Sequence, residues 1–153
     1  MRANHKSSVL FWLITLALPL LSLSQAQAGD RKFEAQLIWA TNEKQSPDAK
    51  HKDVDPDIRD RLSKLPLKWE NYFEVNRQQM CVDKGGTNRV VMSPKCTVEV
   101  NMKDAKKVEI LLMGKDGKVL SRQTQPLAKG ELLILGGEAP NSTAWLVTVK
   151  RTE

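Results

Sequence analysis

Lys107-Val108-Glu109-Ile110-Leu111-Leu112-Met113-Gly114-Lys115-Asp116-Gly117-Lys118-Val119-Leu120-Ser121-Arg122-Gln123-Thr124 decides the fold class. Two runs of strand-forming residues, Lys107 to Met113 and Lys118 to Thr124, flank Gly114-Lys115-Asp116-Gly117. An Asp-Gly pair between such runs is a strong short-range hairpin signal, because both turn residues tolerate positive φ. The stretch therefore predicts an antiparallel β-hairpin.

Strands are expected on both sides of it. Upstream, Phe33, Ala35, Leu37 and Trp39 alternate with Glu34 and Gln36, which is the period of a strand with one face on a core. Further strands are predicted from Trp69 to Val75 (continuing or bending toward Val82), at Arg89 to Met92, and at Cys96 to Met102. Downstream, Glu131 to Leu135 and Ala144 to Val149 are apolar on both faces and are expected at a sheet centre or between layers. The Gly85-Gly86 and Gly136-Gly137 pairs match neither a phosphate loop nor a dinucleotide turn and read as turns between strands. Thr41 to Asp53 is polar and without periodicity, which predicts a mobile loop at 41–54. Asp55-Pro56 then starts a helix whose Ile58, Leu62 and Leu65 share one face and which ends before Pro66. The fold class is mainly β (α+β): a small β-sandwich or partly closed barrel of seven or eight short antiparallel strands with one short helix near the N-terminus.

Residues 1–28 read as a signal peptide. Arg2 and Lys6 precede an apolar segment from Val9 to Leu23, and Ala26-Gln27-Ala28 is a small-x-small cleavage pattern. The uninterrupted apolar run is shorter than the roughly 20 residues a membrane span needs. Cleavage before Gly29 is expected to leave a single β-rich domain, 29–153, exported to the periplasm or outside the cell. It would have no membrane span. Removing Arg2 and Lys6 takes Lys plus Arg from 24 to 22 against 18 acidic residues, so the net charge falls from +6 to +4. That gives a weak preference for anionic surfaces. Lys103, Lys106, Lys107, Lys115 and Lys118 gather around turns, not along one stripe, so no specific nucleic-acid binding is expected.

Lys68-Trp69-Glu70-Asn71-Tyr72-Phe73-Glu74-Val75, Lys129-Gly130-Glu131-Leu132-Leu133-Ile134-Leu135-Gly136-Gly137 and Ala144-Trp145-Leu146-Val147 resemble a group of short exported bacterial proteins of uncharacterised function. The resemblance implies a bacterial envelope or secreted setting. It carries over no activity and no site residue.

The side chains that could do chemistry give no catalytic, cofactor or metal site. Asp53, Asp55 and Asp57 imitate the opening of a calcium loop, but Ile58 stands where glycine is needed and Lys64 where the closing Glu should be. They read as carboxylates favouring a helix N-terminus. His51, in the polar loop, reads as solvent-exposed and lacks the orienting partner a catalytic triad requires. Asn141-Ser142-Thr143 fits a glycosylation acceptor and in a bacterium reads as a turn.

Trp39, Trp69 and Trp145 raise a carbohydrate-binding alternative, since exposed rings stack on sugars. Trp39 shares its face with Phe33 and Leu37, and Trp145 with Val147 and Val149, which is the pattern of core residues. The expected function is binding or assembly without catalysis. The enzymatic alternative is a small secreted hydrolase using Glu74, Glu99 or Glu109.

Cys81 and Cys96 pose a geometric choice. In an oxidising compartment two cysteines favour a bridge, worth about 3 kcal/mol for the loop they would close. If the strands between them form a flat meander, the pair sits about 9–10 Å apart, beyond the roughly 7 Å limit for a disulfide. The reading favours the bridge.

Overall fold

The computed structural model describes residues 31–104 and 106–153, so the expected cleavage at Ala28 and the segment before it lie outside the described residues. The strands are β1 (Arg31–Thr41), β2 (Lys52–Asp53), β3 (Asn71–Val82), β4 (Thr87–Ser93), β5 (Cys96–Met102), β6 (Lys107–Met113), β7 (Val119–Pro126), β8 (Leu132–Ala139) and β9 (Thr143–Arg151), with one helix, α1 (Pro56–Ser63), between β2 and β3. They form two antiparallel sheets, a five-stranded one in the order β2-β3-β1-β9-β8 and a four-stranded one in the order β4-β5-β6-β7. The fold is a β-sandwich without a closed barrel.

The expected hairpin is β6 and β7. Gly114 N–H donates to Lys118 O at 2.8 Å, and Gly117 alone in the turn takes positive φ, +71°. Val108, Ile110 and Leu112 point inward from β6 to meet Phe33, Ala35, Leu37, Val147 and Val149 of the facing sheet. Fully burying each such side chain contributes about 1.5–3 kcal/mol. This inter-sheet layer is the larger core.

A second core lies on the other face of the five-stranded sheet. The residues of β1 that point away from the sandwich, Ile38 and Ala40, are covered by Ile58 and Leu62 of α1, with Val54, Trp69 and Tyr72 around them. Both faces of β1 and β9 are therefore buried along most of their length, as the two-sided apolar reading of β9 requires. A bulge offsets β1 and β3 between Leu37 and Ile38, leaving Val75 as the extra residue on β3.

Several expectations are corrected. The helix stops at Ser63, not Leu65, because a residue before proline is pushed out of the helical region. Leu65 is left 40% exposed. Asp55 does occupy the N-cap, but its carboxylate makes no cap bond and instead accepts from Arg77 at 2.7 Å. Gly136-Gly137 lies within β8 and is not a turn, and β8 is an edge strand although it is apolar on both faces.

The disulfide is also absent: Cys81 and Cys96 are both free thiols. The chain crosses between sheets after Val82, so the flat meander is wrong as well. Asn88, near the start of β4, donates its side-chain N–H to Cys81 O at 2.9 Å, while Cys96 pairs with Ser93 at the opposite end of β4. Five residues of extended chain separate those ends, roughly 16–17 Å, which no disulfide spans.

Candidate functional site

The strands that build the inter-sheet core run past it at one end. Trp39 on β1 and Trp145 on β9 are directly opposite each other and point to the sandwich face beyond the last covering residues, Leu37 and Val147. The indoles lie near-parallel, 24° apart with centroids at 6.3 Å, an offset arrangement that aromatic quadrupoles favour. Trp145 is 44% exposed. The reading of both as core residues fails here: the alternation placed them on the correct face, but the second sheet stops short of them. Trp69 is a core residue on the other side of the sheet, and its Nε1 donates to Ser142 O at 2.7 Å.

The polar loop folds over this aromatic end. His51 is not the exposed residue expected: its side chain is 12% exposed, its ring stands edge-on to Trp39 with centroids at 6.0 Å, and Ser46 Oγ is 2.6 Å from its Nδ1. Asp48 Oδ2 is 3.8 Å from Nε2, too far for a hydrogen bond, and is itself half-exposed. These residues are neighbours in one loop, and the contacts staple the loop to Trp39. They lack the buried orienting carboxylate of a catalytic triad. The segment 41–54 is also shorter as a loop than expected, since Thr41 closes β1 and Lys52 and Asp53 pair with Glu74 and Phe73 of β3.

Between this loop and the β8–β9 turn lies an open cleft of about 460 Å³. Trp39 and Trp145 are its aromatic part, and its rim is polar, with Asn42, Glu43, Asn141 and Thr143. The turn that supplies Asn141 and Ser142 holds both in positive φ, 63° and 56°, so its reading as a turn stands. On the other side of Trp145 a second cleft, about 390 Å³, opens between β7 and β8 over Leu37, Leu112 and Val147. Cys96 lines it, and burial pushes its thiol pKa up.

The carboxylates considered for hydrolysis are dispersed and each is paired with a cation. Glu74 accepts from Arg77 on the outer face of the five-stranded sheet, where Asp55 and Glu34 accept from the same guanidinium. The Glu74 hydrogen bond first, then that of Asp55 and the charges of Glu74 and Glu34, raise the pKa of Arg77 further, against the opposing effect of burial. Glu99 pairs with Arg89 at 2.7 Å. Glu109 pairs with Lys103 at 2.9 Å and Arg122 at 3.3 Å, and the Lys103 hydrogen bond holds its carboxyl below the usual range. None of the three lines either cleft. Among the described residues no group of three or more His, Cys, Asp or Glu is placed to hold a metal ion, and no helix is long and apolar enough to cross a membrane.

The tryptophans stand out in the sequence, but the apolar residues that share their faces make Trp39 and Trp145 read as core. Asn42, Glu43 and Thr143 carried no sequence signal, because what unites them is only the loop closure over β1 and β9. No known protein family, characterised protein or solved structure matches the chain.

Proposed function

We propose that this chain is an exported, non-catalytic binding protein of the cell envelope or extracellular space, and that its ligand is a carbohydrate. The observation that carries the reading is the pair of near-parallel indoles, one of them 44% exposed, at the bottom of a polar-rimmed cleft. A pyranose ring has an apolar face of C–H groups, which suits an indole, and a girdle of hydroxyls, which suits Asn, Glu and Thr side chains that donate and accept. The cleft lining carries Glu43 and no Lys or Arg, which favours a neutral sugar over a phosphorylated or strongly acidic one. Its volume falls in the range of small-ligand sites. The N-terminal segment, read as a signal peptide, supports export.

The test is a panel of neutral polysaccharides in affinity electrophoresis, followed by calorimetry on the best binder. Trp145→Ala is expected to weaken binding at least tenfold, about 1.4 kcal/mol. Its melting temperature is expected to fall as well, because more than half of the ring is buried and it stacks on Trp39, so binding is compared at a temperature where the variant is fully folded. Retention by no sugar polymer, or equal binding by wild type and Trp145→Ala, would overturn the reading.

A further inference from the structure

We propose that two copies of this chain pair through β8, in antiparallel register about a two-fold axis at Leu135, to form one continuous ten-stranded sheet. This goes beyond the carbohydrate reading and does not depend on it.

Among the edge strands β8 carries the fewest features that keep an edge from pairing. A paired edge is normally prevented by shortness, charge, proline or a bulge. β2 has only two residues. β4 carries Arg89 and is bulged against β5 between Val91 and Ser93. β7 carries Arg122, ends at Pro126, and is offset against β6 at Met113. β8, Leu132-Leu133-Ile134-Leu135-Gly136-Gly137-Glu138-Ala139, has eight residues, a single charge at Glu138 that is already paired with Lys68, no Pro, and unbroken register with β9.

The occupant follows from the strand's own shape. Its first half is bulky and its second half, apart from Glu138, is small, so an antiparallel copy sets each half against the other. With Leu135 at the axis, Leu133 of one copy stands beside Gly137 of the other, and Ile134 beside Gly136. Leu133 and Gly137 both belong to the sandwich face, as Leu133 packs on the inter-sheet core and Gly137 is directly opposite Trp145. A Cβ built on Gly137 would meet nothing within 4 Å, so there is room for the incoming leucine against Trp145. Leu132, Leu133 and Ile134 are each only half-buried. Leu120, 61% exposed on β7, lines the same opening.

The backbone agrees with this register. Arg151 N–H donates to Glu131 O, so odd-numbered residues of β8 bond to β9 and the even-numbered ones turn their N–H and C=O outward. About Leu135 the outward residues fall opposite one another: Ile134 meets Gly136, and Leu132 meets Glu138. A register shifted by one residue would set outward groups against groups already bonded to β9.

Sedimentation velocity of the purified protein, without sugar, from about 1 to about 100 µM, spans the affinities of weak to moderate dimers. The mass is expected to double across that range. Gly137→Lys, which has space for its side chain, is expected to remain monomeric with unchanged circular dichroism. Amide exchange read on the wild type gives a second measure that needs no variant: Ile134 and Gly136 should slow at least tenfold with concentration, and Leu133 and Leu135 should not change. A monomer throughout, dimerisation of Gly137→Lys equal to wild type, or concentration-dependent protection at β4 or β7 in place of β8 would each overturn the proposal.

Discussion

The two long sides of the sandwich are built differently. On the β3–β4 side the chain itself passes from one sheet to the other between Val82 and Thr87, and side chains reinforce the crossing: Asn76 donates to Met92 O at 2.8 Å and Asn88 to Cys81 O at 2.9 Å. Met80, Val82 and Met92 fill the space behind it, each no more than 4% exposed. On the β7–β8 side the chain also crosses, through residues 127–131 with Leu127 buried in the inter-sheet core, but only at one end of the two strands; the other end is the cleft. There Leu120 and Trp145 are exposed, Gly137 is bare, and the cleft opens onto Leu37, Leu112 and Val147. Both flanks are crossed by the chain, but side chains tie the sheets along the first, from Asn76 to Asn88, while the second is left open at the end that carries Leu120 and Gly137. Stability is expected to reside on the first side and binding on the second.

The largest effect expected from that contrast is at Met80, on the closed side. Met80→Ala would remove a buried side chain from the inter-sheet core, and such truncations cost about 2–5 kcal/mol. Urea unfolding should show the midpoint falling with an unchanged slope. A loss under about 0.5 kcal/mol, the scale of an ordinary surface change, would break the comparison.

A smaller effect is expected at Asn76, which ties the two sheets through one hydrogen bond. Asn76→Ala leaves the Met92 carbonyl without that donor, and losses of this kind run to about 1–2 kcal/mol. The register sets Asn76 opposite Leu37, on the sandwich face that looks toward the second sheet. If the variant unfolds at the wild-type urea concentration, the crossing is held by apolar packing alone.

Much of this architecture could be read from the residues, because local pattern and turn chemistry are local properties. The Asp-Gly turn located β6 and β7, the alternation in β1 assigned Phe33, Ala35 and Leu37 to one face, and Asp55-Pro56 located α1. What could not be read were facts about neighbours. The apolar run in β8 looks like that of a central strand, because the sequence records what each face meets and is silent on whether both edges are paired. Trp145 looks like Val147 and Val149 until the length of the opposite sheet is known. The distance between the cysteines depends on where the chain changes sheets and on β4 lying lengthwise between them, which no local pattern records. The candidate site was thus half visible: its aromatic residues stood out, and the rim supplied by two separate loops did not.

The smallest effect on stability is expected at Leu120, where the open side can be probed without touching the core. Its side chain is 61% exposed and lines the second cleft. Leu120→Ser removes little buried area, so the unfolding free energy of dilute protein should stay within about 0.5 kcal/mol of wild type. The same change should act more visibly on association, since an exposed leucine beside Trp145 and a bare glycine is apolar surface that a partner would cover. The pairing proposed for β8 is therefore expected to weaken in Leu120→Ser while the monomer's stability holds, read by sedimentation and urea unfolding on the same sample. If stability falls by 2 kcal/mol or more, on the scale of the core truncations, Leu120 belongs to the core and the open flank is a closed one.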